Sequence, residues 1–268
     1  MSTALAHAKI NLALVVGPVR DDGMHEVATV LQRVELHDIV ELEPAPSLEV
    51  TGFADTLATH ALTLLADKAG VPPAWRVRID KRIPVAAGLG GGSSDAAAAL
   101  VLANDTLPEP LASNRLHEIG AAVGADVPFF LRDGPQLATG DGTALDPVEL
   151  PRELLVVLVL PAGVAKESTR GVYALFDARN GATGFEERRA ALDEALGRID
   201  AVSDLSRLPR NDLASSPLAV RLEELGAIRA DVSGAGPAVY GLFDAPELAA
   251  KAAETLRDAG VTILTRLA

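Results

Sequence analysis

The chain has no cysteine in its 268 residues, which excludes disulfides, thiolate-ligated zinc and thiol catalysis together and fits a reducing, cytoplasmic setting. Aromatic side chains are scarce at 3%, a bias of composition rather than a mark of function. Basic residues are outnumbered, 24 Lys and Arg against 37 Asp and Glu, for a formal net charge of -13. A broad nucleic-acid surface is therefore not expected, since such surfaces work by clustering Lys and Arg against phosphates. A small anionic ligand is not excluded, because a few local donors outweigh global charge. Long apolar runs are also missing: Leu154 to Leu160 is the most apolar stretch, far short of the roughly 20 residues a membrane helix needs. The opening MSTALAHAKINLALVV lacks a charged start and carries Lys9 and Asn11 inside its apolar stretch, so no secretory signal is expected and the protein reads as soluble.

What is present is enough apolar residue, 49%, for a sizeable core in one large domain or two modest ones. Leu48–Thr51 reads as a short strand before a turn at Gly52. Leu57, Ala61, Leu64 and Leu65 recur at helical spacing, giving a helix over Thr56–Lys68. Trp75–Ile79 alternates like a half-buried strand, and a helix follows from about Ser94 to Asn104. Another helix is expected over Leu116–Val123, closed by Gly124. Pro128 biases Val127 away from helix. Beyond it come a buried strand at Leu154–Leu160, a charged helix at Glu186–Ile199, and then a helix near Leu218–Leu225, a strand Ala227–Val232, a strand Ala238–Phe243, a helix Pro246–Ala259 and a strand Val261–Leu267. The pattern is α+β, with a boundary expected around Glu149–Arg152 between domains 1–150 and 151–268.

Between the Trp75 strand and its helix lies IPVAAGLGGGSSDAAAAL, with Gly88, Gly90, Gly91 and Gly92 within five residues. Glycine allows positive φ and close backbone approach. A helix beginning at Ser93 or Ser94 would leave its first N–H groups unpaired and facing the loop, which makes an anion site, most naturally for phosphate. The serines would cap the helix, or one would face a magnesium ion. A plain tight turn before a capped helix is the competing reading. A Walker A loop requires Lys where Ser93 stands, and a dinucleotide fingerprint requires Gly at the same place.

Four further segments are each weak alone. In AHAKINLAL, a strand puts Lys9 and Asn11 on one face and Ile10 and Leu12 on the other, which for an isolated case is an edge strand with a solvated polar face. In RDDGMHEV, Asp22-Gly23 signals a turn and a lone His25 is ordinarily structural. Asp126 in GADVPFF reads as a turn residue between a helix end and a proline, and SGAGP, Ser233 to Pro237, as a second glycine turn.

Taken together, AHAKINLAL, DDGMHEVATVLQ, IDKRIPVAAGLGGGSSDAAAAL, GADVPFFL, ATGDG, RNDL and VSGAGPAVYGLF resemble the GHMP small-molecule kinases over nearly the whole chain, from Ala6 to Phe243. Within that family the likeness is to the branch whose acceptor is a cytidine diphosphate derivative of methylerythritol. The resemblance implies two domains, the first like the second domain of ribosomal protein S5 and the second ferredoxin-like, with ATP over the glycine loop. It implies ATP contacts at Pro84, Ala87, Gly88, Leu89, Gly90, Gly91, Gly92, Ser93 and Ser94, with Mg²⁺ and Ser94 as a candidate ligand to it. Asp126 would be the base and Lys9 the cation beside it, while Asn11, Met24, His25 and Tyr173 would meet the substrate. Met24 departs from the family's usual aromatic, and Thr56-Leu57 from its usual Asn-Leu. The implied partner is the small-molecule substrate, with no nucleic acid and no membrane, and a monomer or homodimer. Two alternatives stay open: another small alcohol, of homoserine or mevalonate type, or a catalytically silent nucleotide-binding homologue.

Overall fold

The computed structural model describes the chain apart from residues 54–55, 152 and 165–167. The end of the expected boundary at Arg152 lies outside the described residues. The chain forms two compact units, one of residues 1–8, 36–85 and 90–133, the other of residues 9–35, 86–89 and 134–268.

The first unit holds the start of β1 (Ser2–Val19), the end of β2 (His25–Pro44), β3 (Glu49–Thr51), α1 (Thr56–Ala69), β4 (Trp75–Asp80), α2 (Gly91–Asn104), α3 (Ser113–Val123) and α4 (Val127–Phe130). Along β4, Trp75, Val77 and Ile79 are buried while Arg76, Arg78 and Asp80 are exposed, the period of two that alternation predicts. β2 pairs antiparallel with β4, with Val40 opposite Ile79 and Leu42 opposite Val77. On α1, Ala58, Ala61, Leu62, Leu65 and Ala66 are buried, one helical stripe, and they share a core with the inward residues of β4 and with Ala96, Ala99, Leu100 and Ala103 of α2. Trp75 Nε1 donates to Thr106 Oγ1 at 2.8 Å, so the ring's polar atom is satisfied as the ring is buried.

The second unit holds the remainder of β1 and β2 with β5 (Gln136–Gly140), β6 (Ala144–Pro147), β7 (Leu155–Pro161), α5 (Thr169–Ala178), α6 (Phe185–Leu196), α7 (Pro217–Glu224), β8 (Arg229–Val232), β9 (Val239–Phe243), α8 (Pro246–Thr255) and β10 (Gly260–Arg266). Its four-stranded sheet runs β10-β7-β9-β8, antiparallel throughout. Val157 and Val159 of the central β7 pack with Leu222 of α7 and with Ala249 and Ala252 of α8. Mixed helix and sheet is the α+β class read from the sequence.

Three local expectations change. Lys9 and Asn11 are not on a solvated face: every residue from Ala8 to Gly17 is buried, both side chains included. The helix after the glycine loop starts at Gly91, capped by Gly90, with no side-chain cap; Gly90 reaches φ 69° itself, so the first turn forms before the serines, and Ser94 is buried within it. Pro128 does not keep Val127 out of helix; both open α4, where a proline's missing N–H has no partner to lose.

Candidate functional site

The glycine loop is set from outside itself. In the first unit, Asp38 Oδ1 accepts from the backbone N–H of Arg82 at 2.5 Å and of Ile83 at 2.7 Å. Its Oδ2 meets Lys81 Nζ at 2.7 Å, and Lys81 reaches Asp95 Oδ2 in α2 at 2.5 Å. Asp38 and Asp95 are fully buried. Burial alone would lower the Lys81 pKa, but the hydrogen bonds and charges of the two carboxylates hold it above its ordinary value. One ammonium thus ties the approach to the loop, at residues 81–83, to the helix beyond it.

Residues 86–89 of the loop group with the second unit. There Leu89 O accepts from Lys9 N at 2.9 Å, Ala87 O from Ala238 N at 3.0 Å, and Gly88 O from Ser233 Oγ at 2.9 Å. Ala86 and Gly88 have φ of 66° and 82°, left-handed conformations of the kind that turn successive N–H groups toward an anion. The first helical bond of α2 is Ser94 N to Gly90 O, so the N–H groups of Gly91, Gly92 and Ser93 have no partner within the helix. These are the donors an anion at the positive end of the helix would take.

Lys9 sits in a buried polar chain of the second unit. Its Nζ donates to Asn11 Oδ1 at 2.7 Å, and Asn11 Nδ2 donates to Thr29 Oγ1 at 2.8 Å. Thr29 Oγ1 donates in turn to Ala13 O at 2.7 Å. Because the hydroxyl proton is committed to a carbonyl, Thr29 can only accept from Asn11, which fixes Asn11 with its oxygen toward Lys9. The SGAGP turn beside this chain is held by Asn211 of RNDL, whose Nδ2 donates to Val232 O at 2.9 Å and Gly234 O at 2.7 Å. Asp231 anchors the same corner, accepting from Asn211 N and Val232 N, and burial pushes its carboxyl up.

Also in the second unit, His25 Nε2 lies 2.8 Å from Asp177 Oδ1. The His25 ring is 4.7 Å, centroid to centroid, from Tyr173, so these two expected substrate residues are together. Met24 is exposed; its N–H donates to Asp22 Oδ1, which closes the turn the Asp-Gly pair predicts and holds the Asp22 carboxyl below its usual range. Asp126 belongs to the first unit, half-buried at the head of α4 with no side-chain cap bond. Pro84 and Gly90–Ser94 are in that unit too, and Lys9, Asn11, His25, Tyr173 and residues 87–89 are in the other.

The sequence did not single out Asp38, Lys81, Asp95, Thr29 or Asp177, and it offered Asn211 and Ser233 only as members of RNDL and of the SGAGP turn. Lys81 and Asp95 stand inside IDKRIPVAAGLGGGSSD, where a lysine before the glycines and an aspartate after them were the available signal. Asp38 and Asp177 have none, being joined to their partners by tertiary contacts alone.

Two stretches of the chain match family models. Residues 56–134 match the GHMP kinases N terminal domain, and residues 214–262 the GHMP kinases C terminal. A 4-diphosphocytidyl-2-C-methyl-D-erythritol kinase of Kineococcus radiotolerans is 39% identical, the match covering 94% of this chain and 84% of that protein. A Synechococcus sp. protein of the same name is 37% identical over 95% of this chain and 89% of its own. A crystal structure of 4-(cytidine 5'-diphospho)-2C-methyl-D-erythritol kinase superposes with a TM-score of 0.79 at 33% identity, covering 99% of each chain. On this agreement of sequence, of both domains and of fold, the chain belongs to the GHMP kinases, on the branch of the 4-diphosphocytidyl-2-C-methyl-D-erythritol kinases.

Proposed function

We propose that the protein transfers the γ-phosphoryl group of ATP to the 2-hydroxyl of 4-diphosphocytidyl-2-C-methyl-D-erythritol, a step of non-mevalonate isoprenoid precursor synthesis. The observation that carries this is the likeness to kinases of that name across nearly the whole chain. In this reading the functional partition runs at about residue 150, and the enzyme works in the cytoplasm as a monomer or homodimer. Among the described residues no helix is long and apolar enough to cross a membrane.

The loop fits a triphosphate. A Cβ added at Gly88 would lie 2.3 Å from Ser233 O and 3.0 Å from Gly236 O, so the backbone here is pressed against the SGAGP turn and leaves no room for a side chain. The residues holding ATP would be Pro84 and Ala87–Ser94, through backbone N–H groups and the head of α2. Mg²⁺ favours phosphate oxygens and water over an all-protein cage, and among the described residues no three acidic or imidazole side chains cluster; Ser94 is the protein ligand we assign. The metal would neutralise charge on the transferring group.

Asp126 accepts the proton of the 2-hydroxyl as the new oxygen–phosphorus bond forms and the bond to the β-phosphate oxygen breaks. A carboxylate suffices because phosphoryl transfer depends on positioning and charge stabilisation more than on a strong base. Lys9, oriented by Asn11 and Thr29, supplies positive charge at the acceptor. His25 reads the cytosine edge and Tyr173 lies beside it.

Gly88→Ala tests the loop. We expect the KM for ATP to rise at least about tenfold, because left-handed φ costs alanine about 1–2 kcal/mol even before the clash. Gly23→Ala is the control: Gly23 has nearly the same φ, +81°, with nothing within 4 Å of its added Cβ, so the ATP KM stays near wild type. Equal KM values for the two variants would remove Gly88 from the nucleotide site. The acceptor itself is tested by a panel of the cytidylyl alcohol, homoserine and mevalonate with ATP and Mg²⁺, in which only the first is turned over efficiently. Turnover of homoserine or mevalonate alone would replace this reading with another GHMP kinase activity, and ATP binding with no acceptor turned over would make the protein a silent homologue.

A further inference from the structure

Asp177 is the penultimate residue of α5, at the helix end whose dipole disfavours a carboxylate. Its side chain is 48% exposed, so neither local helix stability nor packing accounts for it. What it does contact is His25, whose side chain is 10% exposed. Tyr173 stands one helical turn before Asp177, so α5 presents a ring and a carboxylate to one imidazole, and Phe176 adds an edge contact at 6.0 Å.

An ionised carboxylate only accepts hydrogen bonds. Nε2 of His25 must therefore carry the proton in the 2.8 Å contact with Asp177. In the neutral ring the other nitrogen, Nδ1, is then a bare acceptor, and among the described residues nothing is bonded to it. A base edge that offers a donor at position 4, as cytosine does with its amino group, pairs with that acceptor, whereas one that offers a carbonyl oxygen there repels it.

We propose that Asp177 sets the base specificity of the enzyme by holding His25 in the Nε2–H tautomer, so that Nδ1 accepts from the 4-amino group of cytosine and rejects the 4-oxygen of uracil. Asp177 is a positioning residue acting through His25. The inference rests on the cytidylyl substrate proposed above and adds to it the atom that discriminates and the residue that fixes its state.

The test is the ratio of kcat/KM for the cytidylyl substrate to that for its uridylyl counterpart, measured for wild type, Asp177→Ala and Asp177→Asn. Alongside it, ¹⁵N–¹H correlation spectra report which nitrogen of His25 is protonated. We expect wild type to favour cytidine and to show the Nε2–H tautomer. Asp177→Ala lowers the ratio about tenfold, the value of one hydrogen bond made or opposed, through the substrate KM, with kcat and the ATP KM unchanged. Asp177→Asn, whose amide oxygen still accepts from Nε2–H, recovers part of the ratio. Cytidine preference unchanged in Asp177→Ala, or an Nδ1–H ring in wild type, overturns the role of Asp177 and leaves the substrate reading standing. A wild type that turns over the cytidylyl alcohol no better than the uridylyl one overturns the base reading and this inference with it.

Discussion

Asp126→Asn loses about a thousandfold or more in kcat, within the range expected when a positioned base is removed, while ATP still binds with near wild-type affinity. The separation follows from where the residue sits. Asp126 heads α4 without capping it and is half-buried, so the isosteric amide leaves the helix intact. The approach to the glycine loop, by contrast, is held in the same unit by Asp38, Lys81 and Asp95, at residues 81–83 and the start of α2. Steady-state kinetics with a nucleotide-binding titration checks both halves. A kcat within about threefold of wild type, far short of what loss of a catalytic base produces, would remove Asp126 from the chemistry.

Lys9→Met carries the second largest effect and, unlike the first, a stability cost. Lys9 is 4% exposed and donates to Asn11 Oδ1. Methionine keeps the stem but leaves a buried amide oxygen short of its donor, for about 1–3 kcal/mol. The lost positive charge at the acceptor lowers kcat by about a hundredfold to a thousandfold, the usual result of removing one charge-stabilising donor. Thermal unfolding and kinetics separate the two contributions: Thr29→Val, which frees Asn11 to turn, reproduces part of the kinetic loss with Lys9 still present. The double variant Asp126→Asn with Lys9→Met falls short of the product of the single losses, because residues acting on one step are not additive. Independent, multiplying losses would mean the two residues serve different steps.

These expectations draw unevenly on sequence and structure. The strand–loop–helix order around Gly88–Ser94, the alternation of Trp75–Asp80 and the stripe on Thr56–Ala69 were legible because they are local: period and turn chemistry are written in neighbouring residues. The depth of β1 was not, because alternation does not distinguish a strand buried on both faces from an edge, and here Lys9 and Asn11 are interior. The serines misled as caps for a related reason. A glycine able to reach φ 69° makes the cap unnecessary, and Ser94 is then drawn into the buried first turn. Least legible were the pairs set by tertiary structure. Asp38 meets Lys81 because β2 lies against β4 with Ile39 opposite Asp80; Asp177 meets His25 across 152 residues. Each is a charged residue that looks like ordinary solvated surface in the sequence.

The most direct test of the central claim is the position of the new phosphate. Incubated with ATP and Mg²⁺, the cytidylyl methylerythritol should yield one product, whose ³¹P spectrum shows a phosphomonoester on the tertiary 2-oxygen with the diphosphate bridge intact, at one equivalent per ADP formed. Release of inorganic phosphate without that ester, or phosphorylation at another hydroxyl, would contradict the account.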